Sequence, residues 1–178
     1  MRLREVVYVC ALSCAPAMGA EVDAQHDFDF EFGTWKTHVS RLAHPLSGSK
    51  EWIDLDGTSV VRSIMDGRAN LVELDVTGPS GHIAGISLRL YSPDTRQWSL
   101  NYANLRNGAL TASVIGAFSN GRGEFFGADT LDGKSVFVRF VITCPAPDVC
   151  HFEQAFSNDG GKTWEANWIA TDTRVKNS

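Results

Sequence analysis

Residues 110–143 read LTASVIGAFSNGRGEFFGADTLDGKSVFVRFVIT, and their pattern decides the fold. Three apolar runs, near Leu110 to Ser119, Gly123 to Thr130 and Ser135 to Thr143, are separated by little more than Asn120-Gly121 and Asp132-Gly133. Both dipeptides tolerate positive φ at each position, which makes them strong hairpin signals. In the third run Val136, Val138, Phe140 and Ile142 fall at every second residue, placing them on one face of a half-buried strand. Strands joined this tightly must be antiparallel, because parallel pairing needs a crossover of about a dozen residues.

The same pattern continues on both sides. Upstream, the sequence predicts strands at about Thr34 to Leu42, Glu51 to Leu55 resuming from Thr58 to Met65 after Asp56-Gly57, Asn70 to Val76, Ile83 to Tyr91 and Gln97 to Asn104. Turn signals at His44-Pro45, Asp66-Gly67, Gly78-Pro79, Pro93-Asp94 and Asn107-Gly108 divide them. Downstream, strands are predicted at Cys150 to Ser157 and Thr163 to Thr171. The sum is an all-β meander of about ten strands. An open sheet of that size would leave two aggregation-prone edges, so the expected architecture is a closed, antiparallel, up-and-down β-barrel. A short lead-in or helix, about Ala24 to Phe32, is expected to close one end.

Alternation also proposes an interior. Ile86, Leu88 and Leu90 share one face, Trp98, Leu100 and Tyr102 another, and Trp164, Ala166, Trp168 and Ala170 a third; all are expected to point inward. Small Ala beside large Trp fits tight packing across a taper, the commoner outcome, and it equally fits the lining of a void.

Residues 1–20 read as a signal peptide, with Arg2 and Arg4 before the apolar stretch Val6 to Leu12 and small residues up to Ala20. One domain is expected over 21–178. Cys14 allows a lipoprotein-type site, although Ala11 and Leu12 fit that poorly. Loss of Arg2, Arg4 and Glu5 takes the formal charge from −5 to −6. That balance disfavours nucleic acid and anionic membranes. Cys144 and Cys150 then remain as an even pair in a Pro-containing loop, for which a disulfide across a hairpin is expected in a periplasmic or secreted location.

Chemistry-bearing motifs are few. The sequence has no Gly-x-Ser-x-Gly, no His-Glu-x-x-His and no phosphate-binding glycine loop. His26, His38, His44, His82 and His151 show no metal-ligand spacing, and Asp27-x-Asp29-x-Glu31 lacks the terminal Glu of a calcium loop, so no metal is expected. Arg62, Glu73, Arg89, Glu124, Arg139 and Glu153 lie inside strand patterns, where an outward ladder of ion pairs is the expected arrangement.

Ser157-Asn158-Asp159-Gly160-Gly161-Lys162-Thr163-Trp164 looks like the Asp-box of sialidases and other propellers. The resemblance implies a structural role, with Asp159 capping a hairpin turn and Trp164 anchoring it; one copy in a chain this short does not make a propeller. Gly33-Thr34-Trp35 at the first strand, with Arg174 after the last, resembles the calycin superfamily of lipocalins and their relatives. In calycins the Trp closes one barrel end and a late basic residue packs over its ring. Over about Asp27 to Arg174 the chain also looks like a family of secreted bacterial domains of unknown function, through His26-Asp27-Phe28-Asp29-Phe30, Leu88-Arg89-Leu90-Tyr91, Arg96-Gln97-Trp98-Ser99 and Glu153-Gln154-Ala155-Phe156. Nitrobindins, haem-binding relatives, carry a Gly-x-Gly where Lys36-Thr37-His38 stands, so no haem or other cofactor is expected.

The leading functional expectation is a barrel holding a small, mainly apolar ligand among Trp98, Tyr102, Phe140 and Trp168. A filled barrel acting through protein contact ranks second, and an enzyme using the Arg and Glu residues named above ranks third.

Overall fold

The computed structural model describes residues 24–176. The leader-like stretch, with Cys10 and Cys14, lies outside them. Eleven strands follow a lead-in of two 3-10 turns, Ala24–His26 and Asp29–Glu31: β1 (Gly33–Leu42), β2 (Trp52–Ile64), β3 (Ala69–Gly78), β4 (Gly81–Ser92), β5 (Gln97–Asn104), β6 (Ala109–Leu110), β7 (Val114–Ser119), β8 (Arg122–Leu131), β9 (Lys134–Ala146), β10 (Val149–Ser157) and β11 (Glu165–Arg174). Each long strand pairs with its sequence neighbour, β4 pairs with β5, and β11 returns to β1. Ten strands therefore close an antiparallel meander barrel, and the two-residue β6 is a tab on β5.

The predicted hairpins form as expected. Asn120-Gly121 and Asp132-Gly133 all have positive φ, between 50° and 76°, the geometry whose twist matches the flanking strands. Asp56-Gly57 does not interrupt a strand: β2 runs straight through it. Gly57 is there because β3 crosses close by; a Cβ at this position would sit 2.0 Å from the carbonyl oxygen of Asp75. The predicted strand from Leu110 divides instead, with residues 111–113 separating β6 from β7.

Alternation places Val136, Val138 and Ile142 in the core, and Trp98 and Leu100 as well. Two inward faces need correction. On β4 the inward residues are Ile83, Gly85, Ser87, Arg89 and Tyr91, so Ile86, Leu88 and Leu90 face outward, Leu90 being 38% exposed. On β11 the pairing slips beside Gln154 and Ala155: Trp168 pairs with Gln154, and Ala166 with Ala155. This bulge breaks the period of two, so Trp168 and Ala170 point inward while Trp164 lies on the outer surface against Phe126.

Candidate functional site

One end of the barrel is sealed by the lead-in. Phe28 is fully buried among Trp98, Phe118 and Phe125, with ring centroids 4.9, 5.0 and 5.9 Å away. Two indoles clamp this plug by donating to its backbone: Trp35 Nε1 to the Glu31 carbonyl at 2.7 Å and Trp98 Nε1 to the Ala24 carbonyl at 2.9 Å. Arg174 finishes the seal. Its guanidinium lies 4.0 Å over the Trp35 ring and donates to the carbonyls of Phe32 (2.7 Å), Phe30 (2.5 Å) and Pro147 (3.2 Å). Gly33 has φ 131°, and a Cβ there would come within 2.9 Å of Arg174 Nη1. Gly33, Trp35 and Arg174 thus close this end of the barrel together.

Above the plug the barrel is hollow. A cavity of about 390 Å³ occupies the lumen. Its floor is polar, formed by Glu31, Arg89, Thr37, Ser59 and Asp172 beside Trp35. Its waist is apolar, formed by Val39, Val72, Leu74, Leu100, Val114, Val138, Phe140, Phe152 and Ala170. Its mouth, at the opposite strand ends, mixes Tyr102, Trp168, Arg41, Gln154, Asn104, Thr111 and Asp129.

The floor brings together groups from distant parts of the chain. Arg89 of β4 forms a buried ion pair with Glu31 of the plug, and its guanidinium stacks 4.3 Å from the Phe28 centroid. Burying two charges is costly unless they meet directly, as these do. Thr37 of β1 donates to Asp172 Oδ1 of β11 at 2.5 Å, and Ser59 of β2 donates to the same oxygen at 3.2 Å. Desolvation pushes the Asp172 carboxyl above its ordinary 3.8, with nearby Glu31 adding to the rise; the hydroxyl of Thr37, that of Ser59 and the more distant charge of Arg89 act the other way. Burial also raises the Tyr102 phenol, against a hydrogen bond with Asn104 that lowers it.

Tyr102, Phe140 and Trp168 line this cavity. Trp98 shares the inward face of β5 but sits lower, packed on Phe28 in the sealed end and outside the cavity lining. Of the six charged strand residues, only Arg89 turns inward. The others pair on the outside, Arg62 with Glu73, Arg122 with Glu124, and Arg139 with Glu153 at 3.1 Å. The floor residues Glu31, Thr37, Ser59 and Asp172 escaped the sequence reading. Asp172 was within its reach, since the Trp168 and Ala170 face extends to it by the same period of two.

The remaining predicted features are structural. Cys144 and Cys150 form a disulfide joining β9 to β10. Asp159 Oδ1 accepts from the amides of Lys162 and Thr163, each at 3.0 Å, and from Ser157 Oγ at 2.7 Å, while Oδ2 accepts from Thr163 Oγ1 at 2.7 Å. Those bonds, led by the Thr163 hydroxyl, hold its carboxyl down at about 2. Trp164 anchors the loop under Arg139, whose guanidinium lies 5.0 Å from the indole. Among the described residues no group of His, Cys, Asp and Glu is placed to hold a metal ion, and no helix is long and apolar enough to cross a membrane.

Fold and lumen together define an antiparallel β-barrel with an internal cavity. No family model and no curated protein matches the chain. Among solved structures it is similar to the S-type phycobiliprotein lyase CPES from Guillardia theta, at 13% identity and a TM-score of 0.59, covering 88% of this chain and 95% of that one. It is also similar to two redesigned β-barrels bound to DFHBI, mFAP0 and mFAP1, each at 12% identity and a TM-score of 0.46, covering 82% and 85% of this chain and 99% of each barrel. At such identities the lyase match establishes a shared barrel fold.

Proposed function

We propose that this protein binds a small, mainly apolar molecule inside the barrel. The observation that carries the reading is the cavity itself: about 390 Å³, apolar at the waist and polar at both ends. That volume falls in the range of about 300–1,000 Å³ typical of ligand pockets, and a few convergent polar groups in an apolar wall are what orient such ligands. Tyr102, Phe140 and Trp168 are the proposed aromatic contacts. A structural neighbour described as an S-type phycobiliprotein lyase shares the barrel fold in which this cavity lies.

The proposal extends to location and family. The disulfide fits an oxidising, extracellular compartment. With the leader-like residues 1–20 it supports an exported protein whose single domain spans 21–178 and belongs among the calycin-like secreted domains. A second reading, contact with another protein, draws on Ile115, Phe126 and Phe137, each about half exposed on the outer wall.

Native mass spectrometry of protein purified from its own host tests the first reading. An added small mass that leaves on denaturation is the expected result. A bare chain, together with failure to take up any of a panel of apolar molecules, would overturn it.

A further inference from the structure

The polar floor carries an imbalance that the apolar reading leaves unexplained. Of its charged groups, Glu31 and Arg89 neutralise one another in a direct ion pair. Asp172 has no such partner; its two hydrogen bonds come from the hydroxyls of Thr37 and Ser59, and both land on Oδ1. With Asp172 ionised, the floor therefore holds one unit of negative charge at the bottom of an apolar tube. Asp172 is itself part of the cavity lining, so this charge faces the lumen.

Resting on the lumen being a binding site, we propose that its ligand is a cationic amphiphile, an apolar body with a terminal protonated amine that docks on Asp172 at the floor. An ammonium donates to a carboxylate and carries the charge that the floor lacks, while the chain fills the waist of Val39, Leu100, Val138 and Phe140. The rival orientation is an anionic head at Arg41. That residue lines the mouth four positions along β1 from Thr37, about 13 Å at the rise of a strand, and its Nε–H, a donor, has no partner among the described residues. Arg41 shares the mouth with Asp129, however, whereas the floor has no cation left over for Asp172.

The test compares decylamine, decanol and decanoic acid by titration calorimetry at pH 7, on the wild type and on Asp172→Asn. Decylamine is expected to bind about tenfold more tightly than decanol, the scale of one charge-assisted contact, with decanoate weakest. Asp172→Asn should bring decylamine down to the level of decanol, and cooperative thermal melting shows that the variant is folded. Should the variant not fold, the wild-type ranking decides alone. Equal binding of all three, tighter binding of decanoate, or an amine preference that survives Asp172→Asn would overturn the cationic ligand while leaving the binding barrel standing. Failure of all three to bind the wild type would overturn both.

Discussion

The Arg174 guanidinium lies 4.0 Å over the Trp35 ring while holding two carbonyls of the lead-in and one of the loop after β9. One side chain therefore ties the last strand, the first strand and the plug together. A cation–π contact of this kind contributes about 1–2 kcal/mol, and charge-assisted hydrogen bonds add to it. Arg174→Ala should cost about 3 kcal/mol, on the order of 6–12 °C in Tm by thermal denaturation. Arg174→Lys should recover only part of this, because an ammonium cannot fork to three carbonyls and stack at once. Full recovery by Lys would show that charge alone matters here.

Phe28 tests the plug from inside. It is fully buried and packs against four other rings, so Phe28→Ala removes a large apolar group and leaves a hole in the sealed end. The expected loss is about 3–5 kcal/mol in denaturant unfolding, with Phe28→Leu costing much less. A change below about 1 kcal/mol for Phe28→Ala would mean that the lead-in is not a structural part of the barrel.

Asp172 should make stability depend on pH in a particular direction. Its folded pKa lies above the ordinary 3.8, so the folded chain holds this proton where the unfolded chain has released it. The contribution of the protonated form is fully present below 3.8 and is lost as pH rises through the folded value. Asp172→Asn, which mimics the neutral form, should raise Tm at pH 7 and leave it nearly unchanged at pH 3. Destabilisation by this variant at pH 7 would show that the ionised carboxylate is favourable in the empty protein.

The Cys144–Cys150 bridge closes a short loop of sequence separation 6. On chain-entropy grounds such a loop contributes about 2 kcal/mol, so reduction should lower Tm by about 4–8 °C without dispersing the barrel. Alkylation of the unreduced protein should leave both sulfurs unlabelled; labelling of either would remove the staple from the account.

Much of this architecture is legible from local chemistry. Asn120-Gly121 and Asp132-Gly133 dictate tight turns whatever surrounds them, and tight turns dictate antiparallel neighbours. Trp35 and Arg174 mark one end of the closing seam, where β1 and β11 place them in direct register. The site is harder to read, for a physical reason. The rule that apolar residues face inward selects Ile86, Leu88 and Leu90 on β4, yet the interior there takes Ser87 and Arg89, because Glu31 of the plug supplies the charge that Arg89 needs. No local pattern on β4 announces a partner 58 residues away. The bulge beside Gln154 similarly moves Trp164 to the outside, since a single inserted residue exchanges the faces of everything beyond it.

The proposed function requires that the lumen accept a small molecule. Titration with the neutral apolar fluorophore N-phenyl-1-naphthylamine, on the wild type and on Ala170→Phe, tests it most directly. Ala170 is almost fully buried at the cavity waist, and a ring there occupies the space a ligand needs at a packing cost of about 1–3 kcal/mol. Saturable, one-site enhancement of fluorescence is expected in the wild type, abolished in Ala170→Phe while cooperative melting persists. Absence of binding to the wild type, or equal binding by a folded Ala170→Phe variant, would contradict it.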